Sequence, residues 1–365
     1  MSEERSLMKG NEAIAEAAIR AGCRFFAGYP ITPQNEIPEY MSWRMPEVGG
    51  TFIQSESELA AINMVYGAAS AGARAMTSSS GPGISLKQEG LSYMCGSELP
   101  CFLANIVRGG PGLGNIAGAQ SDYFQATRGG GHGDYRIPVF VPSTVQELID
   151  LTMLAFEVAD RYRNPAMLMG DGILGQMMEP AVMRKMVDYD PKAKASWAVG
   201  DASGRERHVI NSVRLAPGTL ETHNIRLLKK YREIEEKEQR FELFEVDNAD
   251  VVIIAYGTGA RIAKSAVALA KTKGNIRLGI IRPITVWPFP KKVIREIAAK
   301  KENFLVVEMS FGQMYEDALL SVCGKAKVSL LARTGGGLPT EEEIVETARR
   351  AMASKESIEV YPALD

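Results

Sequence analysis

The sequence lacks the features that would place the chain in a membrane or on nucleic acid. It contains no run of eighteen apolar residues, so no segment is long enough to span a bilayer as a helix. Its 42 basic and 44 acidic residues nearly cancel and leave a formal net charge of −2. A chain without excess charge has no strong field to attract nucleic acid or an anionic membrane. We therefore predict neither a nucleic-acid partner nor a membrane association.

Cysteine is also scarce. The four cysteines, Cys23, Cys95, Cys101 and Cys323, are scattered, and no two of them form a C-x-x-C pair. Zinc and iron–sulfur sites in proteins use closely spaced cysteines, so the sequence predicts neither on this chain. Scattered, unpaired cysteines are typical of buried thiols in a reducing compartment, which predicts a cytoplasmic protein.

Apolar, strand-like runs alternate with helical patterns along most of the 365 residues. This alternation predicts an α/β protein with mainly parallel sheets that helices cover on both faces. The pattern breaks between residues 185 and 249, where the sequence predicts a charged helix over residues 226–245, and then resumes. We therefore predict a doubly wound parallel-sheet domain at residues 1–184, a connector at 185–249 and a smaller α/β domain at 250–365.

Four segments of the first predicted domain follow the carboxyl ends of predicted strands, and ligands bind beyond such ends in open parallel sheets. They are residues 29–35, 55–58, 78–83 and 108–136. Candidate functional residues fall mostly within these four segments. We therefore expect the four segments to meet at one edge of the sheet and to form the functional site there.

The segment YPITP holds Thr32 between two prolines. Proline fixes its own φ, and the residue before a proline is restricted to extended conformations. Thr32 is therefore expected at the tip of a stiff loop that presents its hydroxyl group in a set position. The alternative interpretation is an ordinary turn at the start of a helix, with Thr32 near the cap.

Three long blocks carry a resemblance to a known family: GYPITPQNE, QSESELAAINMVYGAASAGARAMTSSSGPGISLKQEG and RGGPGLGN…SDYFQATRGGGHGDYR. Together they resemble the α-type subunit of 2-oxoacid:ferredoxin oxidoreductases, most closely the branched-chain subtype, 2-oxoisovalerate:ferredoxin oxidoreductase. In the second domain, YGTG, RPITVWPFP and VVEMSFGQM are similar to the family's transketolase-C-terminal-like domain. The resemblance implies oxidative decarboxylation of a 2-oxoacid with coenzyme A, yielding acyl-CoA and CO₂ and passing electrons to ferredoxin. The alternatives are 2-oxoglutarate as the substrate and a non-catalytic scaffold subunit with the same fold.

The resemblance also implies that several subunits share the cofactors. This chain would supply the pyrimidine-binding domain for thiamine diphosphate, and a β-type subunit would supply the diphosphate and Mg²⁺ site. A γ-type and a ferredoxin-like subunit would complete the complex, with the [4Fe-4S] clusters on partner subunits. The tripeptide GDG at residues 170–172 resembles the opening of a thiamine-diphosphate metal motif, but the next asparagine, Asn211, is too distant. We therefore predict a strand-end turn there and no metal on this chain.

The catalytic carboxyl group implied by the resemblance is Glu58. A hydrogen bond from such a group to N1′ of the aminopyrimidine favours the imino tautomer that activates the cofactor. The alternative interpretation is structural, because residues 55–58 read as a capping box with Ser55 as the N-cap and Glu58 at N3 of its helix. Glu56 is the second candidate for the catalytic carboxylate.

Further site residues follow from the same resemblance. Those expected to contact the cofactor, besides Glu58, are Pro30, Thr32, Ser80, Gly81 and Gly83. Those expected to contact the substrate are Thr32, Arg108 and His132. Arginine can bind the carboxylate of a 2-oxoacid through two donors, and a surface arginine is the alternative. His132 is left open between a contact to substrate, a contact to coenzyme A and a loop histidine bonded to backbone.

Two helix starts are predicted in the second domain. Residues 257–260, GTGA, resemble a phosphate loop, but a lone G-x-G is weak evidence and a tight strand-to-helix turn is the preferred interpretation. Thr340 followed by Glu343 predicts a capping box at the start of the last helix.

Overall fold

The computed structural model describes residues 5–200, 202–274 and 276–362. The outermost residues of the first and last predicted domains, 1–4 and 363–365, lie outside it. The described strands are β1 (Ser6–Lys9), β2 (Phe25–Gly28), β3 (Thr51–Gln54), β4 (Ala75–Ser79), β5 (Phe102–Val107), β6 (Val139–Phe140), β7 (Ala166–Asp171), β8 (Met178–Ala181), β9 (Phe241–Phe244), β10 (Val251–Ile254), β11 (Leu278–Pro283), β12 (Thr285–Trp287), β13 (Asn303–Glu308), β14 (Lys327–Ala332) and β15 (Glu359–Val360).

The helices cover both faces of two sheets. They are α1 (Gly10–Arg20), α2 (Glu36–Glu47), α3 (Glu58–Ser70), α4 (Pro82–Gly96), α5 (Tyr123–Arg128), α6 (Val145–Tyr162), α7 (Gly172–Gln176), α8 (Thr219–Lys237), α9 (Gly257–Lys273), α10 (Lys291–Ala298), α11 (Gln313–Val322) and α12 (Glu341–Ala353), with a short 3-10 helix at Pro191–Lys194. Among the residues that the structure describes, no helix is both long and apolar enough to cross a membrane.

The first sheet has the strand order β12-β6-β7-β5-β4-β2-β3, and all its neighbours are parallel except the edge pair β12–β6. Its central strands β5 and β7 are buried at every position, which explains why their sequences FLANIV and AMLMGD do not alternate with polar residues. Strands β5, β4, β2 and β3 are consecutive neighbours. Their carboxyl ends therefore open at one edge of the sheet, where the four predicted loop segments begin.

The second sheet has the order β15-β14-β13-β10-β11-β9, and it is parallel apart from β9. The predicted α/β class with two mainly parallel sheets is therefore confirmed. The helix predicted over residues 226–245 is wrong at its carboxyl end, since α8 ends at Lys237 and β9 follows. The sequence of β9, FELF, alternates between exposed and half-buried positions, as an edge strand does. The domain boundaries at residues 184 and 249 stay predictions.

Helix α3 shows which face of an apolar helix is buried. The spacing of Leu59, Ile62 and Tyr66 places them on one face of α3, but Leu59 is 43% exposed. The buried face instead carries Ala61, Ile62 and Val65. Small residues bring α3 close to α4, where a Cβ at Gly90 would lie 2.5 Å from the Ile62 side chain. The helix is apolar almost all round, so periodicity alone does not identify its buried face.

An ion-pair cluster around the buried Arg282 joins the two sheets. Arg282 of β11, whose side chain is 4% exposed, pairs with Glu147 of α6 at 2.6 Å and with Glu242 of β9 at 2.8 Å. Its guanidinium also donates to the Ser143 hydroxyl at 3.1 Å. The cluster therefore links the second sheet to helix α6 of the first.

Candidate active site

Glu58 is the first residue of α3. The N-cap is Ser57, whose hydroxyl accepts a hydrogen bond from the Ala60 backbone at 3.2 Å. The predicted capping box, with Ser55 as the N-cap and Glu58 at N3, is wrong. The Ser55 hydroxyl donates instead to the carbonyl oxygens of Gly28 and Ser57, so it is not available to cap the helix. The carboxylate of Glu58 is therefore not used to cap α3.

The Glu58 side chain is buried, with only 6% of the residue exposed, yet its carboxylate receives no hydrogen bond from the described residues. It lies against Gly83 in the first turn of α4. A Cβ at Gly83 would be 2.5 Å from Oε1 of Glu58 and 2.2 Å from Oγ of Ser79. Glycine is therefore required at this position, because any larger residue would displace the carboxylate.

Two serines at the end of β4, Ser79 and Ser80, are fully buried. Oγ of Ser79 and Oγ of Ser80 are buried and have no hydrogen-bond partner among the described residues. Buried polar groups in proteins are nearly always paired, so unpaired ones indicate a position where a ligand binds. Glu58, Ser79, Ser80 and the backbone at Gly83 thus form a polar cluster at the carboxyl ends of β3 and β4.

Thr32 and Arg108 lie together at the same edge. Nη1 of Arg108 donates to the Thr32 carbonyl oxygen at 2.8 Å, and Nη2 donates to the Leu113 carbonyl oxygen at 3.1 Å. Arg108 is 8% exposed, so the alternative of a surface arginine is wrong. Its Nε is buried without a partner and faces Gly81, where a Cβ would lie 2.9 Å away. Gly81, which lies against Arg108, is only two residues before Gly83, which lies against Glu58.

The Thr32 side chain is exposed, as is Pro30. Its hydroxyl accepts a hydrogen bond from the Asn35 side chain at 3.3 Å, and within the described chain it caps no backbone N–H. A cleft of about 490 Å³ opens beside it, lined by Thr32, residues 116–118, the start of α7 and Leu338. Thr32 therefore borders a space that a small molecule can enter.

His132 lies apart from these groups. It is exposed, and its backbone carbonyl accepts a hydrogen bond from the Ser92 hydroxyl. The neighbouring Gly130 binds Gln88, so this loop packs along α4 beyond Gly83. A different cleft, of about 720 Å³, begins two residues later at Asp134 and runs along α8. The assignment of His132 to substrate or to coenzyme A stays a prediction.

Asp171 in the GDG tripeptide caps a helix, which confirms the predicted strand-end turn. Its Oδ1 accepts hydrogen bonds from the backbone of Ile173 and Leu174, and its Oδ2 accepts one from the Thr258 hydroxyl at 2.6 Å. Burial raises the pKa of Asp171, and these hydrogen bonds oppose that shift. Within the described ranges, no group of three or more His, Cys, Asp or Glu side chains lies together as metal ligands would.

The structure also brings in polar residues that the sequence did not indicate. Ser78 donates to the Gln34 side chain at 2.6 Å, and Asn105 donates to Asp122 at 3.1 Å. Burial raises the pKa of Asp122, while Asn105 and the charge of Arg108 oppose this shift. Gln34, Ser78 and Asp122 lie within the predicted segments that follow strand ends, which was the one signal available for them, whereas Asn105 lies inside β5.

Comparison with known proteins identifies two family domains in the chain. Residues 16–242 match the family described as "Pyruvate flavodoxin/ferredoxin oxidoreductase, thiamine diP-bdg", and residues 249–344 match "Pyruvate:ferredoxin oxidoreductase core domain II". The chain is 49% identical over 344 residues to a protein named ketoisovalerate oxidoreductase subunit VorB from Methanothermobacter thermautotrophicus, covering 94% of this chain and 97% of that one. It is 38% identical over 362 residues to a 2-oxoglutarate synthase subunit KorA from Methanocaldococcus jannaschii, covering 92% and 97% of the two chains.

Two solved structures share the fold. The 2-oxoglutarate:ferredoxin oxidoreductase from Magnetococcus marinus, solved with 2-oxoglutarate, coenzyme A and succinyl-CoA bound, superimposes with a TM-score of 0.85 at 25% identity. The match covers 96% of this chain and 66% of that one, so the chain spans about two thirds of the larger protein. A split-gene transketolase, at 13% identity and a TM-score of 0.59, shares the fold alone, over 94% of this chain and 98% of its own. With both family domains in order and a relative 49% identical along nearly its whole length, the chain belongs to the 2-oxoacid:ferredoxin oxidoreductase family, as its α-type subunit.

Proposed function

We propose that the chain is the pyrimidine-binding, catalytic subunit of a thiamine-diphosphate-dependent, coenzyme A-acylating 2-oxoacid:ferredoxin oxidoreductase that acts on a branched-chain 2-oxoacid such as 2-oxoisovalerate. The higher identity to the ketoisovalerate subunits, 49% against 37–38% for the 2-oxoglutarate synthase subunits, supports this substrate class. 2-Oxoglutarate is the second candidate, and the bound 2-oxoglutarate of the Magnetococcus structure favours it.

The observation that carries the proposal is the Glu58 carboxylate, which lies against Gly83 and receives no hydrogen bond from the described residues. The carboxylate caps no helix and forms no ion pair within the described residues, so it is available to a ligand. In this position the carboxyl group can hold a proton at N1′ of an aminopyrimidine ring. The hydroxyls of Ser79 and Ser80 can complete the hydrogen bonds of the same ring.

Thiamine diphosphate, when bound, supplies a nucleophilic carbon and an electron sink for decarboxylation of the 2-oxoacid. The residues of this chain bind and orient the cofactor and the substrate. Thr32 can donate its hydroxyl to the substrate from the stiff YPITP loop, whose order before binding limits the entropy cost of association. Arg108 supplies a buried positive charge for the substrate carboxylate, next to Thr32.

The diphosphate and Mg²⁺ site is proposed to lie on a β-type partner subunit. Both oxygens of Asp171 are already used by the fold, which supports this division. A γ-type subunit and a ferredoxin-like subunit with [4Fe-4S] clusters would then carry electrons to ferredoxin, with coenzyme A as co-substrate. The cytoplasmic location predicted from the cysteines stays a prediction.

The experiment that tests this proposal is Glu58→Gln in the assembled complex. Glutamine keeps the size of the side chain but cannot supply a carboxyl proton to N1′, and acid–base help of this kind is worth about 10²- to 10⁴-fold. We expect decarboxylation, followed with a viologen dye as acceptor, to fall by about two orders of magnitude or more. Thermal stability should stay near that of the unaltered complex, because the Glu58 carboxylate caps nothing.

The matched control is Glu56→Gln, two residues away on the exposed side of the same loop. It should leave turnover unchanged. Near-normal turnover in Glu58→Gln, with a loss in Glu56→Gln, would transfer the catalytic role to Glu56. Normal turnover in both variants would favour the non-catalytic scaffold. A panel of branched-chain 2-oxoacids, 2-oxoglutarate and pyruvate on the same complex distinguishes the substrate classes by kcat/KM.

A further inference from the structure

Two loops that are distant in sequence meet at the cleft beside Thr32. The side-chain amide of Asn115, in the glycine-rich loop after β5, donates to the Gly335 carbonyl oxygen at 2.7 Å. A Cβ at Gly336 would overlap the Cβ of Ala117, so the two loops touch with no space for a larger residue. The second predicted domain therefore contributes part of the wall of a cleft that the first domain also lines.

The large side chains that these loops bring to the cleft are apolar. Ile116 from the first loop and Leu338 from the second both line it, and both are exposed to solvent. Ile173 at the start of α7 lines it as well. An apolar ligand that covers such side chains removes their surface from water, which favours binding. The cleft therefore suits the hydrocarbon part of a small molecule.

The same cleft is unsuited to an acidic side chain. Among the described residues that line it, Glu36 is the only charged one. Its carboxylate already accepts hydrogen bonds from Lys9 at 3.1 Å, from Asn11 at 2.7 Å and from Gln176 at 2.9 Å. A second carboxylate, such as that of 2-oxoglutarate, would meet the negative charge of Glu36 and no unpaired cation among these lining residues. Removing a charge from water without a partner is costly.

The cleft adjoins the group proposed to bind the substrate carboxylate. Arg108 donates to the Thr32 carbonyl oxygen at 2.8 Å, and its backbone pairs with Gly118 in an antiparallel bridge. Thr32 and Gly118 both line the cleft. A 2-oxoacid whose carboxylate binds at Arg108 can therefore extend its side chain into the space between Ile116 and Leu338.

We propose that Ile116 and Leu338 determine the substrate class: they bind the branched hydrocarbon side chain of the 2-oxoacid and disfavour a second carboxylate. The inference deepens the proposed function and rests on it. It adds that the two predicted domains share the substrate site, since Leu338 belongs to the second.

The test changes Leu338 in the assembled complex and compares kcat/KM for three substrates, with a viologen dye as acceptor. In an apolar pocket, one methylene group is worth about 10- to 200-fold in discrimination. Leu338→Ala should therefore lower kcat/KM for 2-oxoisovalerate by about tenfold, and it should leave pyruvate, which carries only a methyl group, within about twofold. Leu338→Lys adds a cation for the second carboxylate, so the ratio of kcat/KM for 2-oxoglutarate to that for 2-oxoisovalerate should rise by about 100-fold.

Two further variants complete the experiment. Leu319→Lys is the matched control, because Leu319 is 41% exposed against 42% for Leu338, but it lies in α11 and does not line the cleft. It should leave kcat/KM unchanged for all three substrates. Ile116→Lys places the cation on the other loop and should raise the same ratio. If the Leu338→Lys complex fails to assemble, Ile116→Lys decides, and an unmoved ratio there contradicts the inference.

Three results would overturn the inference. They are an unmoved ratio in Leu338→Lys, an equal loss for pyruvate and 2-oxoisovalerate in Leu338→Ala, and a preference of the unaltered complex for 2-oxoglutarate over 2-oxoisovalerate. Failure of the proposed function is distinguishable. An unaltered complex that turns over no 2-oxoacid overturns both, whereas full activity in Glu58→Gln removes the role of Glu58 and leaves the substrate ratios as they are.

Discussion

The substitution Gly83→Ala probes the packing around the Glu58 carboxylate. The added Cβ would lie 2.5 Å from the Glu58 carboxylate and 2.2 Å from the Ser79 hydroxyl oxygen, whereas ordinary contact begins near 3.4 Å. Both groups must therefore move by about 1 Å. Because both are the ends of rotatable side chains, the helix itself can stay in place.

The expected effects on stability and activity differ in size. Alanine in a helix is favoured over glycine by up to about 1 kcal/mol, which offsets a cost of about 0.5–1.5 kcal/mol for side chains pushed off their preferred rotamers. The free energy of unfolding should therefore change by no more than about 1 kcal/mol. A misplacement of about 1 Å in a catalytic group costs on the order of 10²-fold in rate, so kcat should fall by about that factor.

The assay compares kcat of the complex with viologen as acceptor against thermal unfolding of the same preparation. Gly67→Ala is the matched control, since Gly67 lies in α3 itself and an added Cβ there meets nothing within 4 Å. It should stabilise the protein by about 0.5–1 kcal/mol and leave kcat unchanged. A Gly83→Ala complex with unaltered kcat would refute the argument that Gly83 is needed to place Glu58.

Three other predictions concern different parts of the molecule. Arg108→Lys should reduce kcat/KM for the 2-oxoacid by an amount equivalent to about 2 kcal/mol, mainly by raising KM, because the point charge of lysine cannot replace the two fixed donors of arginine. An unchanged KM in steady-state kinetics would exclude the assigned role. Arg282→Met should lower the free energy of unfolding by about 2–3 kcal/mol, since Glu147 and Glu242 lose their shared cation but water can still reach them. Thermal unfolding at neutral pH measures this loss of stability, and a change below about 0.5 kcal/mol would contradict the prediction. Raising the pH from about 7 towards 10.5 should increase the stability of the unaltered protein relative to Lys87→Met. The reason is that burial lowers the pKa of Lys87 to about 7 in the folded protein, so the folded protein has lost a proton that the unfolded chain still binds. Denaturant titrations with equal pH slopes for the two proteins would contradict this prediction.

Much of the fold could be predicted because its signals are local. Strand β5 is apolar except for Asn105 and is bounded by proline and cysteine on one side and arginine on the other, and it ends where the predicted segment 108–136 begins. The capping box of α12 is present as predicted, since Thr340 and Glu343 are three residues apart and need no distant partner. Errors appeared where a distant contact competes with a local signal, as at residues 241–244, which pair with β11 instead of extending α8.

The features of the candidate site likewise fall into those that the sequence determined and those that depended on distant contacts. The sequence by itself determined that Thr32, Glu58, Gly83 and Arg108 follow strand ends, and the shared direction of parallel strands brings such residues to one edge of a sheet. It also determined, through its long matching blocks, the family to which the chain belongs. These conclusions depend on residue order and local patterning, which the chain carries wherever it folds.

The tertiary structure decided what each of those side chains is free to do. Ser55 and Ser57 are equally good caps by sequence, and only the contact of Ser55 with Gly28 on the neighbouring strand moves the helix start and leaves the Glu58 carboxylate unpaired. By sequence Lys87 is indistinguishable from a surface lysine, and only the packing of α4 on α3 and β4 buries it behind Glu58. Burial and hydrogen-bond partners come from residues distant in sequence, so a reading of local propensity cannot supply them.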